Sequence, residues 1–326
     1  SRLLQQQMIP KHVPRFALVD PFSADPLAQI PLDFPFWIKP VKSVSSHLGF
    51  RINDRADFDH AIQRIREGID RYAVPFNQVL EKADLSAEIP EVDGHYCTAE
   101  SIISTGHQCT VEGYVWNGEV VVYGVIDSLR EGPQGSSFSR YQYPSLLPPA
   151  VWNRMGDICQ RLMPHLGYDN APFNIEFFWD DHQDHLWLLE INTRISKSHA
   201  PLFYRVDGCY HFQVMIDLAL GQAPQFPRRQ GQYACAAKFM VRRYEDALVT
   251  RVPTPEEIRR IEAENPFADI EIEVKQGDRL SNLKDQDSYS YEVAVIFIGG
   301  ETSEDLEAKY DHILNQLPLK LEPVDT

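Results

Sequence analysis

Apolar positions along this chain recur with both the helix and the strand period, and the two kinds of segment are interleaved. From Asp54 onward, Phe58, Ile62, Ile65 and Ile69 fall at spacings of four, three and four, the stripe of an amphipathic helix. Ahead of it, after a short opening helix, Phe16–Val19, FWIK at 36–39 and Leu48–Ile52 read as strands. Behind it come three strands in succession: CTAESII (97–103), QCTVEGYV (108–115) and EVVVYGVIDS (119–128). The last two are joined by Asn117-Gly118, a tight-hairpin signal. Residues 129–148 are rich in Gly, Pro, Ser and Gln and read as a long surface loop. A helix is expected from Pro149 to Leu166, then strands at 172–179 and 185–192 around the polar turn DDHQD. A helix near 210–220 ends at Gly221, and QAPQFPRRQGQ follows as the clearest linker. The remainder alternates strand (233–241), helix (254–264), strands (270–274 and 290–298) and helix (303–316). That last helix opens on Thr302, with Asp305 three residues on. The class is α+β with mixed, largely antiparallel sheets, and no internal repeat is present.

Composition narrows the function classes. The 326 residues are 43% hydrophobic and 24% charged, ample for a packed core and for about two domains. Lys and Arg total 31 against 47 Asp and Glu, a net charge of −16, which argues against nucleic acid as a partner. Any phosphate ligand must therefore be met by a few well-placed cations or a metal. No apolar run approaches the ~20 residues of a membrane helix. The start, SRLLQQQMIPKHVPRF, lacks a secretory layout. Cys97, Cys109, Cys159, Cys209 and Cys235 are scattered without a CxxC, as expected of packing thiols in a cytoplasmic protein.

The segment FNIEFFWDDHQDHLWLLEINTR carries the most chemistry. Alternation puts Asn174, Glu176 and Phe178 on one face of the first strand, and Leu188, Glu190 and Asn192 on one face of the second. A hairpin turning at Gln183 sets Glu176 opposite Glu190 and Asn174 opposite Asn192. Two glutamates facing each other in apolar strands need compensation, which a divalent cation with oxygen ligands supplies. A glycosidase carboxylate pair is the competing chemistry, since ~5 Å also suits a retaining enzyme. Lys39, in the apolar strand FWIK, is a candidate phosphate cation. The loop after it, KSVSSHLGF, offers hydroxyls and backbone amides but matches no Walker or GxGxxG pattern.

On IEFF…LLEINTR with the downstream DG…IDLALG, FWIKP, PVKSVSSHLGF and AESIISTGHQCTVEG, the sequence resembles the ATP-grasp superfamily. The resemblance implies an ATP-grasp fold, two lobes clamping the nucleotide, with a C-terminal α/β extension. Its segments would be a connection at 1–34, a small lobe at 35–104, a catalytic lobe at 105–222 and a C-terminal subdomain at 223–326. It implies Glu176, Glu190 and Asn192 as ligands of two Mg²⁺ ions (or Mn²⁺) and Arg194 as a phosphate contact. Lys39, Ser45 and Ser46 would hold the ATP phosphates. Glu100 would begin the hinge, Ile102 and Ile103 would pair with adenine, and Gln108 would stand where the family binds ribose. Ser196 to His199 would line the acceptor side, with His199 in a catalytic role, and Arg130 and Arg140 would cover the carboxylate. The implied activity is a cytoplasmic, ATP-dependent carboxylate–amine ligase acting through an acylphosphate. Biotin-carboxylase-like carboxylation and a nucleotide-binding module without turnover are the alternatives. The expected partners are a carboxylate and an amine of amino-acid-like size, and at most a second copy of the chain. The phosphate loop is poorer in glycine than the family's, and the family's N-terminal Rossmann-like domain is expected ahead of the opening helix.

Overall fold

A computed structural model describes residues 1–43, 47–83, 92–135, 137–284, 286–287 and 289–324. The chain divides into two compact units, one formed by 14–103 with 285–288 and the other by the rest. Helix α1 (Arg2–Met8) belongs to the larger unit.

The smaller unit is built on strands β1 (Phe16–Val19), β2 (Phe36–Pro40) and β3 (Phe50–Ile52), helices α2 (Arg55–Gly68) and α3 (Asp70–Leu80), and strand β4 (Cys97–Ser101). Its sheet runs β1-β4-β2-β3, antiparallel throughout. Asp54 caps α2 by accepting from the Asp57 N–H, and the stripe Phe58, Ile62 and Ile65 is buried together with Phe36, Ile38, Ile52 and Ala99. Alternation then assigns Trp37, Lys39, Thr98 and Glu100 to the opposite face of that sheet.

The larger unit continues with β5 (His107–Trp116), β6 (Glu119–Glu131), β7 (Ser137–Tyr143), α4 (Pro149–Leu162), β8 (Ala171–Asp180) and β9 (His185–Asn192). Then follow α5 (Ala200–Asp207), α6 (Phe212–Ala219), β10 (Cys235–Arg243), β11 (Ala247–Arg251), α7 (Pro255–Glu264), β12 (Ala268–Ile272), β13 (Tyr291–Gly300), α8 (Ser303–Gln316) and β14 (Lys320–Pro323). An eight-stranded sheet runs β12-β13-β10-β7-β6-β5-β8-β9, and β11 pairs with β14. Helix α4 covers the face that carries Cys109 and Phe177, where the Met155 and Cys109 sulfurs meet at 3.4 Å. Helices α5 and α6 lie on the other face, where Phe203, Tyr123 and Tyr143 form an aromatic cluster. Four of the five cysteines are buried and all are free, in keeping with packing roles. No helix among the described residues is long and apolar enough to cross a membrane.

The expected loop at 129–148 is in large part strand. Strand β6 runs on to Glu131 and β7 occupies Ser137–Tyr143 inside the sheet. The sequence SFSRYQY hides this because Ser137, Ser139 and Gln142 are buried polar residues. Arg130 and Arg140, expected on that loop, therefore sit on strands, and Arg140 is ion-paired with Glu307 at 2.7 Å.

Candidate functional site

Strands β8 and β9 pair with Asn174 opposite Asn192 and Glu176 opposite Glu190, the register that the sequence predicts. The expected single register nevertheless fails nearer the turn, where Phe177 pairs with Leu188 and Asp180 with His185. Leu189 is the extra residue of a β-bulge. Leu188 consequently shares the core face with Phe177 and is fully buried, rather than the face of Glu190. Simple alternation would have placed Leu188 and Glu190 together; burying one while opening the other needs the additional residue. β9 is an edge strand, and its carbonyls at the bulge are satisfied from α1. Arg2 Nη1 donates to Leu188 O at 2.9 Å and Arg2 Nη2 to Leu189 O at 2.8 Å.

Across the ladder from β8, strand β5 sets Thr110 opposite Glu176 and Glu112 opposite Asn174. Side chains of three strands thus converge on one polar patch. Glu176 accepts from Gln108 Nε2 at 3.1 Å on one oxygen and from Asn192 Nδ2 at 3.4 Å on the other. Arg130 Nε donates to Gln108 Oε1 at 2.8 Å, with its guanidinium stacked 3.8 Å over the Phe138 ring. Arg194, exposed just beyond β9, donates from Nη2 to Asn192 Oδ1 at 3.3 Å and from Nη1 to Ile195 O at 3.2 Å. Glu176 is half-buried and Glu190 is exposed.

This donor set fits a hard divalent cation. Two carboxylates and an amide share one face, and Mg²⁺ favours few protein carboxylates supplemented by substrate phosphates. Asn192 would present Oδ1, the atom that here accepts from Arg194. No group of three His, Cys, Asp or Glu positioned for a metal occurs among the described residues.

Behind the patch lies a network that the sequence reading missed. Glu112 is fully buried, and its Oε1 accepts from Asn174 Nδ2 (2.8 Å), His199 Nδ1 (2.8 Å) and the Ser196 N–H (3.2 Å). His211 faces Ser196 O with Nε2 at 2.9 Å, so Nε2 carries the proton and Nδ1 accepts from the Tyr123 hydroxyl at 3.1 Å. Burial pushes the Glu112 carboxyl up to about 7, against the pull of His211 and its hydrogen bonds. Burial drives His199 down to about 3, with Lys238 and Arg194 adding to it, and His211 down to about 4. Both imidazoles are neutral near pH 7. Lys238 on β10 donates to Ser198 Oγ at 3.3 Å, and its pKa is lowered, chiefly by burial. The signal for Glu112 was present: an acid in the apolar run QCTVEGYV invites the same question as Glu176.

The remaining predicted residues lie in the smaller unit. Lys39 stands on β2 opposite Thr98, on the sheet face shared with Glu100, which β4 sets opposite Trp37. Glu100 is buried, Ile103 is buried and Ile102 is half-buried, both isoleucines following the end of β4. Ser45 and Ser46 lie outside the described residues.

An α+β chain of antiparallel sheets with paired carboxylates across one hairpin is the class that fold and site define. The ATP-grasp domain family matches residues 32–200, and the chain belongs to it. Its structure is similar to that of an L-amino acid ligase from Bacillus licheniformis, at 16% identity and a TM-score of 0.74, covering 99% of this chain and 72% of that one. It also resembles a biotin carboxylase from Campylobacter jejuni in complex with βγ-ATP, at 16% identity and a TM-score of 0.64, covering 99% and 66%. A carboxyaminoimidazole ribonucleotide synthase from Aspergillus clavatus, complexed with ATP, matches at 14% identity and a TM-score of 0.64, covering 97% and 72%. At these identities the likeness shows the ATP-grasp fold. Among curated protein sequences none matches the chain.

Proposed function

We propose that this chain catalyses ATP-dependent ligation of a small carboxylate to an amine through an acylphosphate. The carboxylate oxygen attacks the γ-phosphorus and ADP leaves; the amine nitrogen then attacks the acyl carbon and phosphate leaves. The observation that carries the reading is the in-register pair Glu176 and Glu190, flanked by Asn192 and Arg194. Glu176, Glu190 and Asn192 would hold two Mg²⁺ ions, which supply charge neutralisation at the β- and γ-phosphates. Gln108 fixes the orientation of Glu176, and each end of its amide keeps one hydrogen-bonding position for a ribose hydroxyl. Arg194 retains N–H groups beyond its two bonds for the transferring phosphoryl oxygens.

Lys39 would bind phosphate oxygens, with Ser45 and Ser46 contributing from the loop that follows. Glu100 would begin the hinge, with Ile102 and Ile103 beside the adenine. Because Glu112 holds its Nδ1–H, neutral His199 has only Nε2 left for hydrogen bonding; at the acceptor side Nε2 orients the amine rather than serving as a strong base.

Phosphate release from Mg·ATP, measured over a panel of acid and amine pairs, tests the reading. Glu190→Gln is expected to abolish turnover at unchanged melting temperature, and retained turnover would overturn the metal-site assignment. Similarity to a biotin carboxylase keeps carboxylation as the second reading, which bicarbonate-driven turnover without any added acid would favour. Mg·ATP binding without turnover for any pair would mark a nucleotide-binding module.

A further inference from the structure

A cavity of about 450 Å³ opens in the larger unit beside the first half of β6, within the size range of small-ligand sites. β7 pairs with β6 only from Asp127 onward and the Ser145 N–H donates to Val125 O, so that edge of β6 lies without a strand neighbour before Val125. Helix α4 forms one wall, with Trp152, Gly156 and Asp157; Tyr143, Arg228 and Arg229 line the rest.

Four features give this cavity the character of a built site. Arg228 is planted by its own bond to the uncovered edge, donating from Nη2 to Val122 O at 3.0 Å. Arg229 has a left-handed backbone (φ 55), unfavourable for a non-glycine residue, held by its N–H donating to Asp207 Oδ1 at 2.8 Å. Asp207 is fully buried, and its other oxygen takes the Tyr143 hydroxyl at 2.8 Å, so this acid is engaged within the wall. Finally, Gly156 stands within α4, where glycine disfavours the helix, and a Cβ built there meets nothing within 4 Å. No packing contact demands that glycine; its missing side chain leaves the space open.

We propose that this cavity binds a small monocarboxylate with an apolar body. The carboxylate is received by the exposed Arg228 and Arg229 guanidiniums, which keep N–H groups beyond their bonds to Val122 O and Ala234 O, and the apolar part lies against the Tyr143 and Trp152 rings. A pair of guanidiniums calls for an anionic acceptor. Asp157, exposed at the α4 wall, disfavours phosphate and dicarboxylates by like-charge repulsion. The site does not involve Glu176, Glu190 or their neighbours, so it stands independently of the ligase reading.

The probe is 3-phenylpropanoate, with 3-phenylpropanamide as its uncharged counterpart, titrated against the full chain by thermal shift and ligand-observed NMR. The acid is expected to bind saturably and the amide at least about tenfold more weakly. Gly156→Leu places a side chain in the cavity and should weaken binding at least about tenfold while leaving the unliganded melting temperature equal or higher. Arg228→Ala and Arg229→Asn each remove a guanidinium, the latter keeping a residue that tolerates the left-handed backbone, and should each weaken binding about tenfold. Glu190→Gln should leave binding unchanged. Absence of saturable binding, equal binding of acid and amide, or binding indifferent to both Arg228→Ala and Arg229→Asn overturns the proposal. The last two variants decide the matter even if Gly156→Leu fails to fold.

Discussion

Glu112 Oε1 and His199 Nδ1 lie 2.8 Å apart, with the carboxyl fully buried and the imidazole nearly so. This pair ties the segment that follows β9 to the middle of β5, and through Asn174 to the row that carries Asn192. The geometry of the exposed residues therefore depends on a group that solvent never reaches.

That dependence has a pH signature. Burial raises Glu112 to about 7, so its folded form holds a proton that the unfolded chain releases above its ordinary carboxylate range. Taken alone, Glu112 makes the fold less stable as pH rises from the unfolded pKa toward 7. His199 and His211, lowered to about 3 and about 4, act in the opposite sense: the unfolded chain gains their protons below about 6.5, and stability falls as pH drops. Across this window two protons are set against one, so net stability rises with pH by about one proton's worth. Glu112→Gln removes the opposing contribution and should steepen that slope to about two protons. Urea melts at pH 5, 5.5 and 6 measure it, and an unchanged slope contradicts the titration of this network.

Gln108→Ala should act on nucleotide handling rather than on folding. It removes the bond that Gln108 Nε2 gives to Glu176 and the bond that Gln108 Oε1 takes from Arg130 Nε. Loss of one charge-assisted hydrogen bond, about 1.5 kcal/mol, corresponds to roughly a tenfold rise in KM for Mg·ATP. Steady-state kinetics with a coupled ADP assay is the measurement, and an unchanged KM would show that Glu176 needs no such support.

Two deletions, two positions apart, should behave differently. Deleting Leu189 removes the bulge yet keeps Leu188 opposite Phe177 and Glu190 opposite Glu176, so the protein should fold and turn over ATP. Deleting Ile191 brings Asn192 opposite Ile175 and turns it to the core face, and turnover should be lost. Purified variants compared by circular dichroism and phosphate release test the contrast, which fails if both retain activity.

Arg2→Ala should destabilise the larger unit by about 2 kcal/mol, since its bonds to Leu188 O, Leu189 O and Gln5 Oε1 are among those that disappear. Differential scanning calorimetry reads the loss, and a melting temperature identical to that of the unsubstituted protein would contradict the role of Arg2 at the strand edge.

Much of this site could be read from the sequence because two periodicities were strong. The stripe from Phe58 to Ile65 is buried in α2, and the facing glutamates lie in the expected register. The bulge at Leu189 was not legible, since alternation carries no mark of an extra residue until the partner strand is seen. β7 was missed because its buried positions include serine and glutamine; Ser139 Oγ donates to Leu129 O and Gln142 Oε1 accepts from the distant Ser303, contacts that the local pattern does not show. Helix α5, with eight residues, is too short to show a convincing period. Glu112 was passed over as one acid among many; only its complete burial sets it apart.

The extra residue at Leu189 also divides the hairpin into a tip and a base whose residue counts are independent. Slippage or a changed loop length around Gln183 can be taken up before it reaches Glu190. The exposed turn 181–184 is thus a natural port for a fluorophore, an affinity label or an inserted peptide, because cargo carried there does not have to share the register of the carboxylates.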